Sequence, residues 1–123
     1  MRSYHDRFLS AYIECALWSS TDNADDTGGE PLDANYSVDD LSPECLEAMR
    51  KDCASFIAAS GVDASDNWTA EQAGHDFWLT RNEHGAGFRD RGHGAEGADL
   101  AQHAKSFGSC DLYVGDDGGM HAS

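Results

Sequence analysis

Cations are scarce in this sequence. Eight arginines and lysines face 23 aspartates and glutamates, a formal net charge of −15, and only Lys51 and Lys105 are lysines. So large a negative charge argues against direct binding to nucleic acid or to an anionic membrane, because Coulomb repulsion opposes bringing two polyanions together. Long apolar runs are missing too. The longest apolar-rich stretch, Phe8 to Trp18, is interrupted by Ser10 and Glu14, short of the roughly 18 to 20 apolar residues that span a bilayer. The N-terminus has no apolar h-region of a signal peptide, which places the protein in the cytoplasm as an expectation. No CxxC occurs among Cys15, Cys45, Cys53 and Cys110. Cys45 and Cys53 stand eight residues apart on one expected helix, roughly 12 Å along its axis and too far for a disulfide. Buried, reduced thiols are expected.

What is present suffices for one domain over residues 1–123. The chain is 40% hydrophobic, enough for a single core. The acids are concentrated. From Glu14 to Asp76 there are 15 acids against Arg50 and Lys51, whereas from Phe77 to Lys105 four acids balance four bases. One part of the molecule is an anion suited to fast capture of a basic partner. Solubility and adaptation to high salt explain the same charge, and self-repulsion favours a monomer.

Phe8, Leu9, Tyr12, Ile13, Ala16 and Leu17 form one helical stripe, so a helix is expected over 4–18 with Ser3 as its cap. Residues 19–37 show little periodicity and are expected to form a long, mobile, acidic surface loop holding Asp22, Asp25, Asp26, Glu30 and Asp33. Ser42-Pro43-Glu44 is a helix start, and the stripe Leu46, Met49, Cys53, Phe56, Ile57 runs to a stop at Gly61. Thr69 to Gln72 has capping-box spacing and opens a short helix to Gly74 or His75. Phe77–Arg81 and Ala86–Asp90 then read as two strands around a four-residue turn. A further helix opens at Gly97 or Asp99 and closes at Gly108, Cys110–Val114 is a third strand, and a frayed C-terminus follows. The expected fold is α+β, a three-stranded antiparallel sheet packed with three to four helices.

Motifs for chemistry are sparse. The six histidines show no HxxxH or HExxH spacing. Asp22 to Asp26 and Asp63 to Asn67 lack the glycine of a calcium loop. There is no GxSxG, P-loop or GxGxxG, and Cys45 and Cys53 lie on or beside an apolar stripe. No cofactor and no enzymatic activity are indicated. The most distinctive stretch is Gly74 to Gly94, with Arg81, Arg89 and Arg91 among five glycines. These arginines are candidates for binding an anion or for pairing with Asp76 and Asp90, while Phe77, Leu79 and Phe88 are expected in the core.

Within it, HDFWLTRNEHGAGFRDRG (His75–Gly92) resembles a segment that recurs in small hypothetical proteins of phages and plasmids. That segment usually carries glycine and tryptophan where this chain has Glu83 and Arg89. YIECALWSSTD (Tyr12–Asp22) and DLYVGDDG (Asp111–Gly118) are similar to flanking parts of the same proteins. The resemblance implies a mobile-element origin, and with it counter-defence of the kind served by acidic anti-CRISPR and antirestriction DNA mimics. The expected function is therefore a DNA-mimic inhibitor that docks on the basic DNA-binding surface of a host defence complex, a type I CRISPR effector in its concrete form. Asp22, Asp25, Asp26, Glu30, Asp33, Asp39, Asp40, Glu44, Glu47 and Asp52 would stand in for phosphates. At about one charge per 1.7 Å of duplex, the 13 excess charges of Glu14–Asp76 match roughly 22 Å of DNA. The alternatives are a small enzyme or ligand-binding domain using Arg81, His84, Arg89 and Asp90, and a halophile's interaction module.

Overall fold

The computed structural model describes residues 3–19, 37–83, 87–110, 112–114 and 119–122. Among them are four α-helices, α1 (Tyr4–Ser19), α2 (Pro43–Ser60), α3 (Ala70–Arg81) and α4 (Gly94–Lys105), and a two-stranded antiparallel sheet of β1 (Leu112–Val114) and β2 (Met120–Ala122). The expected loop and its five acids lie outside the described residues. No described helix is long and apolar enough to cross a membrane.

The helix ends form where the caps stand. The Ser3 hydroxyl accepts the Asp6 amide at 3.1 Å, and the Ser42 hydroxyl accepts that of Cys45 at 3.1 Å, with Pro43 at the first helical position. Gly61 ends α2 in the left-handed region at φ 69°, where it lacks the steric penalty of a side chain. The Thr69 hydroxyl accepts the Gln72 amide at 3.1 Å. α4 begins at Gly94, a turn earlier than expected.

Two expected strands are not strands. Phe77–Arg81 continues α3 without a break, and the second segment forms a short 3-10 turn, Phe88–Arg91. The expected three-stranded sheet is thereby corrected to two strands. The physical reason is burial around almost the whole helix. Ala73, Gly74, Asp76, Phe77, Trp78, Leu79, Thr80 and Arg81 are all buried, so no polar face marks the helical period. Tertiary packing decides what periodicity leaves ambiguous. The second strand is instead Met120–Ala122, where a frayed end was expected. It pairs with β1 in the register Leu112↔Ala122, and the Met120 carbonyl accepts the Ser42 amide at 2.9 Å, tying the C-terminus to the start of α2.

α1 and α3 form the most extensive helix pair. Gly74 makes their approach possible, since a Cβ there would sit 2.2 Å from the Phe8 carbonyl oxygen. The core is aromatic, with Phe56 stacked on Phe77 at 4.3 Å between ring centroids and Phe8, Tyr12, Trp78 and Phe88 fully or almost fully buried around them.

None of the four cysteines is in a disulfide. Burial pushes the Cys15 thiol up to about 12, Cys45 to about 11 and Cys53 well above its ordinary value. Burial also raises the Tyr4 hydroxyl to about 12. An unfolded chain ionises these groups at lower pH than the folded one, so stability is complete below about pH 9 and falls as pH climbs toward the folded values. Urea midpoints are expected to drop between pH 8 and pH 10.5 by the equivalent of a few kcal/mol, on the order of 1.4 kcal/mol per pH unit per thiol as an upper bound. A midpoint unchanged over that interval would contradict the burial of these groups.

Glu83, just past the end of α3, is the one described non-glycine residue with positive φ, at 56°. A Cβ in that region crowds the following carbonyl. Glu83→Gly is expected to stabilise the fold by about 1 kcal/mol despite the added freedom of the unfolded chain. Thermal unfolding checks this, and a lower melting temperature would count against the assigned backbone.

Candidate functional site

Two polar networks account for most of the distinctive segment. Asp76 is fully buried, and four hydrogen bonds from three side chains converge on its carboxylate. Trp68 Nε1 donates at 3.0 Å and Gln72 Nε2 at 2.9 Å. Arg91 donates twice, through Nε at 3.0 Å and Nη2 at 2.6 Å. Asp76 lies one turn before Thr80 on α3, and the Thr80 hydroxyl accepts the Phe88 amide at 3.2 Å. Together these bonds hold the 3-10 turn against α3.

Arg81 organises the second network. Its guanidinium donates to the Gly108 carbonyl at 2.9 Å, the Phe107 carbonyl at 3.2 Å, the Tyr12 hydroxyl at 3.0 Å and Asp52 Oδ2 at 2.9 Å. It also lies over the rings of Phe77 and Phe107, 5.5 and 5.7 Å from their centroids. Burial opposes its charge, but Tyr12 and Asp52 outweigh burial and raise its pKa further. Asn82 continues the sequence, its side-chain oxygen accepting the Cys110 amide at 2.7 Å. The segment therefore joins α1, α2, α3 and the chain after α4.

This arrangement corrects the expected hairpin. No hairpin forms over the described part of this segment, Arg81 is buried and Arg91 is bound to Asp76. Arg89 is exposed, and His84 lies outside the described residues.

The acidic candidates divide into three groups. Asp22, Asp25, Asp26, Glu30 and Asp33 lie outside the described residues. Asp39, Asp40, Glu44 and Glu47 are all exposed, on the 3-10 turn Val38–Asp40 and the first two turns of α2. Asp40 also accepts the Ser37 amide at 2.9 Å, and Glu47 approaches Arg50 no closer than 3.8 Å. Asp52 differs, because its carboxylate is engaged by the buried Arg81. It is a partner of the core network rather than a fully presented surface charge.

Sequence reasoning missed a cleft between α1 and α3. It has a volume of about 750 Å³ and is lined by Glu14, Trp18, Glu71, Gln72, His75 and Arg91, among others. Trp18 is 60% exposed, and its ring lies 6.2 Å from that of His75. The signal available in the sequence was Trp18 itself, which follows the apolar stripe of α1 without belonging to it. Among the described residues, no three His, Cys, Asp or Glu side chains are grouped to hold a metal ion. In the stretch Asp63–Asn67, Ser65 and Asn67 bind Glu96 at 2.9 and 2.6 Å, and these bonds lower the Glu96 pKa.

No protein-family model matches the sequence, and comparisons with curated proteins and with solved structures likewise return no match.

Proposed function

We propose that the protein is a phage-encoded anti-CRISPR protein, a DNA mimic whose acidic face blocks target-DNA binding by a type I CRISPR effector complex. The observation that carries this reading is the unequal use of the two signs of charge. Arg81 and Arg91 are committed to Asp52 and Asp76, and Arg7 holds Glu71 at 2.6 Å. Asp39, Asp40, Glu44 and Glu47 stand exposed at one end of α2. Internal pairing thus consumes much of a small stock of cations and leaves the excess negative charge at the surface.

Glu44 and Glu47 lie on the first two turns of α2, about 10 Å of helix at 1.5 Å per residue, which is roughly three base pairs of duplex. The resemblance of the 75–92 segment to proteins of phages and plasmids supports a role in counter-defence. In this reading the segment builds the scaffold, and the acids on the turn before α2 and on its first turns meet the partner.

The test is target-duplex binding by a purified type I effector complex in the presence of increasing protein. Stoichiometric loss of duplex binding, weakening steeply as salt rises, is the expected result. Unchanged duplex binding at a large excess would overturn the assignment to this class of effector.

A further inference from the structure

We propose that the cleft between α1 and α3 receives an arginine side chain of the protein's basic partner, with Trp18 as the stacking surface and Glu14 as the counter-ion. This deepens the reading above and rests on it for the nature of the partner.

Glu14 and Trp18 are four residues apart on α1, which places them on neighbouring turns of one face. Both are exposed. The other two indoles are buried, Trp68 at 3% exposure and Trp78 at 1%. Trp18 stands against the His75 ring as part of the cleft wall. An exposed indole beside a carboxylate is the arrangement that binds a guanidinium, through the ring's negative face and a charge-assisted hydrogen bond.

A second observation points to a cation. α1 carries no basic residue in its own last turn, where a cation would complement the partial negative charge of the C-terminal carbonyls. Glu14 adds a full negative charge close to that end. The cleft's own cation, Arg91, turns its Nε and Nη2 edge to the fully buried Asp76 and forms an ion pair with it.

Other uses of the cleft fit less well. An anion would meet Glu14 and Glu71. Nucleophilic chemistry at Cys15 is disfavoured, since the thiol is buried and held in its protonated form. A volume of about 750 Å³ exceeds one side chain and accommodates the flanking backbone of a partner loop as well.

The experiment uses Nα-acetyl-arginine amide, and its neutral near-isostere Nα-acetyl-citrulline amide, titrated into the 15N-labelled protein. The Trp18 indole N–H signal is assigned by Trp18→Phe. The expected result is a saturable shift of that signal with the arginine probe, with citrulline at least tenfold weaker. Glu14→Gln should weaken the arginine response several-fold. A variant with Asp39, Asp40, Glu44 and Glu47 reversed to lysine should retain it. That retention separates this cleft from the acidic face, so either can fail alone. Equal responses to the two probes would mean neutral stacking and would overturn cation recognition. Shifts spread over the exposed acids with Trp18 unmoved would likewise overturn the site.

Discussion

Arg81→Ala is expected to destabilise the protein by about 3–5 kcal/mol, the range for removing one member of a buried ion pair. The side chain is 5% exposed and joins α3 to Asp52 of α2, Tyr12 of α1 and the carbonyls of Phe107 and Gly108. Its loss leaves the two carbonyls and the tyrosine hydroxyl without this donor. Asp52, 37% exposed, is rescued in part by water, which holds the cost toward the lower end. Asp76→Ala is expected to cost a similar amount, because the fully buried carboxylate serves Trp68, Gln72 and Arg91 together. Against a total stability of roughly 5–15 kcal/mol for a domain of this size, either loss is a large fraction. Denaturant midpoints check both. An Arg81→Ala protein of unchanged stability would contradict the structural role assigned to this network.

The second large effect concerns the acidic face. Reversing Asp39, Asp40, Glu44 and Glu47 to lysine adds eight charges and moves the formal net from −15 to about −7. Affinity for the partner is expected to fall at least about 100-fold near 0.1 M salt, because like charges set against a basic groove cost several kcal/mol. The fold should survive, since all four side chains are exposed. Two local costs are expected. Asp40 no longer accepts the Ser37 amide, about 1 kcal/mol by analogy with a lost cap. A lysine at position 44 faces the positive end of α2, roughly 0.3–1 kcal/mol. The neutral set Asp39→Asn, Asp40→Asn, Glu44→Gln and Glu47→Gln avoids the second cost and should still weaken binding. Equilibrium binding of the folded variants decides the matter, and unchanged affinity in the lysine variant would remove these acids from the interface.

The helix starts at Ser3, Ser42-Pro43 and Thr69, and the stop at Gly61, were legible because each rests on a few neighbouring residues, whereas α4 ends at Lys105, ahead of the expected stop at Gly108. The stripes of α1 and α2 were legible because one face of each is polar. α3 was not, for the opposite reason. Asp76, Thr80 and Arg81 are polar residues inside the protein, and in sequence they bracket the apolar run Phe77–Leu79 as the ends of a short buried strand would. The pairing of β2 with β1 was hidden because a three-residue strand carries almost no pattern. The arginines of the distinctive segment were recognised as candidates for ion pairing, and Asp76 as a candidate partner. That the second partner is Asp52, 29 residues away on another helix, follows only from the packing of α3 against α2. The Trp18 cleft depends on the same kind of long-range juxtaposition, between α1 and the start of α3.

The central claim is that the exposed acids occupy a basic DNA-binding groove. Its most direct test is capture of partners from host lysate by the tagged protein at low salt, with release by a salt gradient and separately by duplex DNA. A single CRISPR effector complex, released at moderate salt and displaced by duplex, is the predicted result. No discrete partner, or a partner that duplex fails to displace, would contradict DNA mimicry and leave the charge as a solvation device.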